Sequence, residues 1–113
     1  QPDLEPPIFD NVSRVSADAI RANGITGVFC CDDISAIQAI GRLREEGVAV
    51  PGEVCFASYG NTALARYFTP ALTSVDPHNE EMADHLAGML TSGLGRNEMR
   101  QYVVQPELVI RET

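Results

Sequence analysis

The chain has 113 residues, 44% of them hydrophobic and 21% charged, which excludes a disordered or fibrous protein and leaves room for one globular domain. All eight basic residues are arginines against sixteen acidic residues, and the resulting formal net charge of −8 argues against direct binding of nucleic acid. No apolar run approaches the ~20 residues of a membrane span, and no basic and apolar signal-peptide blocks open the chain, so we predict a cytoplasmic location and no membrane partner.

The chain opens with three prolines in seven residues, which predicts an extended lead-in over residues 1–11 and a folded portion over residues 12–113. Asp10 or Asn11 is suited to cap a first helix that closes at Gly24. The predicted inward face of this helix consists of Val12, Val15, Ala19 and Ile20.

Residues 25–31 form a short, β-branched apolar run of the kind that is buried in a parallel sheet. A helix is predicted next, ending at Gly47, because apolar residues recur there at helical spacing and charged residues fill the other face. Its predicted inward stripe consists of Ile34, Ile37, Ile40, Gly41 and Leu43.

Residues 54–57 and 72–75 are predicted as two further strands, separated by a loop with one helical turn at residues 63–67. Pro77 suits the first turn of a last helix that stops near Gly93. Its predicted apolar face consists of Met82, Leu86, Met89 and Leu90. Residues 102–110 are strand-like but interrupted by Pro106, which predicts an edge strand or a crossing between layers. The alternation predicts an α/β fold with a parallel sheet, and places polar function at the carboxyl ends of the strands.

Cys30, Cys31 and Cys55 lie in apolar, β-prone runs, and an odd count argues against a disulfide framework, so we predict reduced, buried thiols. His78 and His85 lack the spacing of a metal site, and no metal is predicted.

Asp32 and Asp33 follow directly on the first predicted strand, and three interpretations compete. In the first, Asp33 caps the helix. In the second, the pair forms a receiver-like phosphoacceptor pocket, although the chain lacks the lysine that receivers use. In the third, Asp32 accepts hydrogen bonds from a small ligand in a cleft. No nucleophile or base lies near the pair, so no catalytic residue and no enzyme activity are predicted.

Three blocks, VFCCDDISAIQAIGRLREEGVAVPGEV, ARYFTPALTSV and PELVIRET, resemble the C-terminal part of LacI-type bacterial transcriptional regulators. The resemblance implies an incomplete C-terminal lobe of the type I periplasmic-binding-protein-like α/β sandwich. It also implies a sugar- or nucleobase-like effector, a homodimer, no cofactor, and operator DNA bound only through an N-terminal domain absent from this chain. A fragment of a periplasmic sugar-binding transport receptor is the alternative within the same fold.

The resemblance assigns Asp32 to effector contact and Asp33 to the helix cap. Gly60 stands where the family places an effector-binding aspartate, and Tyr59 and Asn61 flank it. Asp76 falls where the chain crosses between lobes and is a further candidate contact. The alternatives are a core aromatic for Tyr59, a turn residue for Asn61 and a helix cap for Asp76.

The family pairs its distal lobes through the helix after the acids and through the loop near residue 67. The residues nominated for a dimer interface are Ile37, Ile40, Leu64, Tyr67 and Phe68. Apolar residues on a helix belong more often to the core of their own chain than to an interface, whereas exposed aromatic residues in a loop need an explanation. The last helix is expected to lack the neighbour that it has in complete family members.

Overall fold

A computed structural model describes residues 5–93 and 99–113, which form one four-stranded sheet with helices packed against it. The strands are β1 (Gly27–Phe29), β2 (Cys55–Tyr59), β3 (Thr73–Asp76) and β4 (Glu107–Val109). The helices are α1 (Ala17–Ala22), α2 (Asp33–Glu45), α3 (Ala63–Tyr67) and α4 (Asn79–Thr91), preceded by a 3₁₀ turn, Val12–Arg14. Within these described ranges, no helix is both long and apolar enough to cross a membrane.

The sheet has the order β1-β2-β3-β4, and its first three strands are parallel. Phe29 pairs with Ala57 and Tyr59 pairs with Val75, so the carboxyl ends of these strands share one edge. β4 runs antiparallel to β3 at the far side. The predicted α/β class and the edge position of the last strand are therefore confirmed.

The core lies between α2 and the sheet, where α2 contributes fully buried Ala36, Ala39, Ile40 and Leu43. These positions recur every three or four residues, so they share one helix face. They pack with Phe56 of β2 in a single apolar cluster. Ile34, predicted to face inward, is instead 58% exposed, because it lies on the opposite side of the first turn from the buried positions.

β1 was predicted to be buried, and this prediction was wrong. Among the described strands β1 has a neighbour on one side only, and its Phe29 side chain is 64% exposed. A run of apolar residues gives the tendency to form a strand but not the strand's place in the sheet.

The first predicted helix is divided in two. Asn11 caps the 3₁₀ turn by accepting the Ser13 N–H at 2.9 Å, and Val15 then leaves helical geometry with ψ of 96°. Ser16 restarts the chain as the cap of α1, accepting the Ala19 N–H at 3.2 Å. α1 ends before Gly24, whose φ of +60° is the left-handed conformation expected of a helix stop.

Along its whole length, α4 contains no buried residue. Its apolar face includes Met82, Leu86 and Leu90, which are 44%, 54% and 84% exposed. The predicted helix and its end near Gly93 (φ +70°) are confirmed, but Pro77 precedes the helix rather than lying in its first turn.

The predicted lead-in, residues 1–11, is described only in part, because residues 1–4 lie outside the described ranges. Residues 5–9 have no regular secondary structure. The boundary at residue 12 remains a prediction.

Candidate functional site

The candidate ligand residues all lie at the carboxyl edge of the parallel strands. Asp32 follows β1, Tyr59 ends β2 and Asp76 ends β3, with Gly60 and Asn61 in the loop that leaves β2. The strand register brings these three strand ends side by side. Tyr59 is 45% exposed, so it is not the core aromatic of the alternative interpretation.

The helix cap was predicted to be Asp33, and this prediction was wrong. Asp32, not Asp33, caps α2: its Oδ1 accepts the Ser35 N–H at 2.6 Å. This backbone hydrogen bond lowers the pKa of the exposed Asp32 carboxyl. Contact between Asp32 and an effector remains a prediction.

Asp33 is the first residue of α2 and is only 2% exposed. Its Oδ1 accepts the hydroxyl groups of Ser58 at 2.5 Å and Ser74 at 2.7 Å. Its Oδ2 accepts both the backbone N–H and the hydroxyl of Thr62, each at 2.7 Å. Burial raises the pKa of Asp33, but these hydrogen bonds outweigh it, so the pKa is lowered and the carboxylate stays ionised at neutral pH.

Asn61 links the loop to the last strands of the sheet. Its Nδ2 donates to Asp76 Oδ2 at 3.0 Å, and its Oδ1 accepts from Arg111 Nη2 at 2.5 Å. Arg111 also donates from Nη1 to the Leu72 carbonyl at 2.7 Å. The side-chain amide of Asn61 is therefore engaged at both ends, and its φ of +49° is left-handed.

Asp76 also organises the connection between β3 and α4. Its Oδ1 accepts the His78 N–H at 2.8 Å. This bond lowers the pKa of Asp76, and the Asn61 amide lowers it further. The His78 imidazole lies 2.8 Å from the Gln105 carbonyl and 3.2 Å from Glu107 Oε2, joining the two segments that run between the sheet and the region of α4.

The five dimer-interface candidates divide according to exposure. Ile40 is fully buried in the core of its own chain, which corrects its assignment to an interface: it offers no surface to a partner. Ile37 and Phe68 are partly buried against the same core. Leu64 and Tyr67, both in α3, are 50% and 78% exposed, and whether they contact a second chain remains a prediction.

Sequence reasoning did not identify Ser58, Ser74, Thr62 and Arg111 as members of this site. One available signal was periodicity: Val54, Phe56 and Ser58 alternate on the inward side near and within β2, and all three are buried. A hydroxyl at an inward strand position needs a hydrogen-bond partner. No comparable pattern marks Arg111, which reaches Asn61 across 50 residues of sequence.

Ligands of open α/β sheets bind outside the carboxyl ends of the strands, and in this chain that edge carries the polar groups described above. The fold is therefore that of an α/β domain with a mostly parallel sheet, and its candidate site lies at the edge where such sheets bind ligands. The chain belongs to the periplasmic binding protein-like domain family, whose sequence profile matches residues 3–113.

Several proteins that resemble this chain are bacterial transcription regulators. The HTH-type transcriptional repressor PurR of Vibrio parahaemolyticus is 34% identical over 90 residues, which are 78% of this chain and 27% of the repressor. A LacI-type transcription regulator from Bifidobacterium animalis superimposes with a TM-score of 0.74 at 27% identity, covering 89% of this chain and 37% of that one. A sugar-binding LacI-family regulator from Escherichia coli, solved with phosphate, gives 0.71 at 26% identity, covering 91% and 39%. The chain thus spans about a quarter of the length of the curated repressor that it matches.

Proposed function

We propose that this chain supplies part of the effector-binding and dimerisation domain of a LacI-type transcriptional regulator. The observation that carries the proposal is the shared carboxyl edge of β1, β2 and β3, where polar side chains meet in a chain similar to such regulators. In this role the chain binds the effector and passes the effect of binding on to the rest of the regulator, and it catalyses no reaction.

The chemistry of the edge favours a ligand rich in hydrogen-bond donors. Asp32 and Asp76 both have lowered pKa values, so each presents an ionised carboxylate at neutral pH. Hydroxyl and N–H groups pair well with such acceptors. A sugar or a nucleobase carries these groups, and the similar Escherichia coli regulator is itself sugar-binding.

Gly60 determines how this site differs from the pattern expected of the family. With no side chain at residue 60, the acceptors supplied by the edge are those of Asp32 and Asp76 on either side of it. The φ of Gly60 is +134°, a conformation that side-chain-bearing residues rarely adopt, so an acid at this position would be strained. We therefore assign effector recognition to the flanking residues Asp32, Tyr59, Asn61 and Asp76.

Nuclear magnetic resonance titration tests this assignment, because it detects weak binding by a partial site. The 113-residue chain is titrated with D-ribose, D-glucose, guanine and hypoxanthine in separate experiments. At least one of these ligands is expected to shift the amide signals of residues 32, 59–61 and 76 more than those of α2. Shifts confined to other surfaces, or none with the whole panel, would contradict the proposal.

We propose that pairing with a second chain uses α3, where Leu64 and Tyr67 are exposed. α3 begins directly after the loop that contains Asn61, so a ligand at the sheet edge and a partner at α3 would act on adjacent segments. This adjacency offers a route for coupling between the two events.

Operator DNA is assigned to a helix-turn-helix elsewhere in the parent protein, as the name of the similar repressor indicates. A chain with net charge −8 is repelled by phosphate, so the isolated chain is expected to leave the mobility of duplex DNA unchanged at low salt. A retarded complex that dissociates as salt is raised would contradict this. A regulator that binds operator DNA acts inside the cell, so we infer that the parent protein is cytoplasmic.

A further inference from the structure

The buried carboxylate of Asp33 has a consequence for the loop formed by residues 60–62. Four hydrogen-bond donors surround Asp33, from Ser58, Ser74 and twice from Thr62. None of these donors comes from the first turn of its own helix, whose cap is provided by Asp32. The Asp33 side chain therefore faces the ends of β2 and β3 rather than α2.

The loop 60–62 has an unusual backbone. Gly60 and Asn61 are consecutive residues with φ of +134° and +49°. Glycine and asparagine both tolerate positive φ, so these two residues also have other backbone conformations open to them. Contacts from the surrounding residues therefore decide which conformation this loop adopts.

Asp33 supplies those contacts to two successive amides. The Thr62 N–H donates directly to Asp33 Oδ2 at 2.7 Å. The Asn61 N–H donates to Ser74 Oγ at 2.9 Å, and the Ser74 hydroxyl donates in turn to Asp33 Oδ1 at 2.7 Å. The Thr62 hydroxyl also donates to Asp33 Oδ2 at 2.7 Å, and it makes no cap hydrogen bond to α3.

We propose that Asp33 is a positioning residue, which sets the conformation of loop 60–62 and so aims the Asn61 side chain at Asp76 and Arg111. Without this carboxylate the Thr62 amide loses its acceptor, and Ser74, which accepts the Asn61 amide, loses the group that orients its hydroxyl. The orientation of Asn61 would be lost with these two contacts. The proposal rests on the proposed function in one respect, namely that this loop contacts the effector.

Amide hydrogen exchange of the free chain tests the proposal without any ligand, so failure of effector binding leaves this test intact. The Asn61 and Thr62 amides are expected to exchange slowly in the unaltered chain. In Asp33→Asn, an NH₂ group replaces one acceptor oxygen. Both amides are then expected to lose protection by at least roughly tenfold relative to Ile40 and Leu43 of α2, the size of one lost hydrogen bond.

The matched control is Asp32→Asn, the same change one residue earlier. Asparagine caps helices as well as aspartate, so this variant should leave the protection of both loop amides unchanged. If Asp33→Asn lowers protection equally in the loop and in α2, Asp33 contributes only to global stability and the proposal is overturned. Unchanged protection in the loop would overturn it too.

Ser74→Ala provides a second, independent reading should Asp33→Asn fail to fold. This change removes the link between Asp33 and the Asn61 amide but leaves the Thr62 contact in place. Faster exchange is therefore expected at Asn61 and not at Thr62. If the Asn61 amide keeps in Ser74→Ala the protection that it has in the unaltered chain, the relay through Ser74 is overturned and the proposal with it.

Discussion

Ile40 and Tyr67 provide a direct test of which apolar residues build the core and which face a second chain. Ile40 is fully buried in α2, packed with Phe56 in the core cluster, whereas Tyr67 is 78% exposed at the end of α3. Truncating a fully buried isoleucine to alanine costs about 2 to 5 kcal/mol, since the transfer free energy of the lost carbons is joined by the cost of a cavity. That loss is a large share of the ~5–15 kcal/mol by which domains are stable.

Ile40→Ala is therefore expected to lower the free energy of unfolding by about 2 to 5 kcal/mol, measured by circular dichroism in guanidinium chloride. Tyr67→Ala, the exposed counterpart, should change it by less than ~0.5 kcal/mol. Sedimentation velocity on both variants separates stability from association. An unchanged unfolding midpoint in Ile40→Ala together with weakened self-association would refute the placement of Ile40 in the core. A dimer unaffected by Tyr67→Ala would remove the α3 surface from the proposed interface.

Three further outcomes follow from individual groups. Asp32→Ala should destabilise the fold by about 1 kcal/mol through loss of the Ser35 cap, and Asp32→Asn should not. Because the folded-state pKa of Asp32 lies below its usual 3.8, this contribution exists above about pH 4 and disappears as the pH falls through the folded-state value, which a pH series of unfolding curves measures. Hydrogen bonds to the Gln105 carbonyl and Glu107 raise the pKa of His78 despite partial desolvation. Nuclear magnetic resonance should therefore show the imidazole titrating above 6.5, with a lower pKa in Glu107→Gln. The stability linked to this shift is fully present below pH 6.5 and is lost as the pH rises through the folded-state pKa. Cys31 and Cys55 are exposed, which corrects the prediction of buried thiols, whereas burial raises the pKa of Cys30 to about 11. Iodoacetamide at pH 7.5 should therefore modify Cys30 last, as followed by peptide mass spectrometry.

Local sequence pattern was sufficient to predict α2, α3 and the end of α4. The buried positions of α2 recur at helical spacing, and Gly47 and Gly93 take the left-handed conformation expected after a helix. These features depend on neighbours within one or two turns, so the sequence displays them directly. β1 shows the limit of such local prediction. Whether a strand lies at the edge or in the centre of a sheet depends on which other strands pair with it.

The candidate site was predictable in location but not in the roles of its side chains. That polar residues would gather after β1, β2 and β3 follows from the topology of a parallel sheet. Which of the two adjacent acids turns inward does not follow from the topology, because either acid could cap the helix. The answer depends on Ser58, Ser74 and Thr62, which lie 25 to 41 residues away in sequence. Arg111 is undetectable for the same reason, since its contact with Asn61 exists only after β4 has docked.

The side chain of Thr113 contributes to the pairing of two strands. Thr113 Oγ1 accepts the Thr73 N–H at 2.8 Å and donates to the Phe56 carbonyl at 2.9 Å. A residue that belongs to neither strand therefore links β3 to β2. Loss of this one hydroxyl would remove both hydrogen bonds. A change at Thr113 therefore acts on the amino-terminal part of β2 and β3, at the opposite end of these strands from the candidate site.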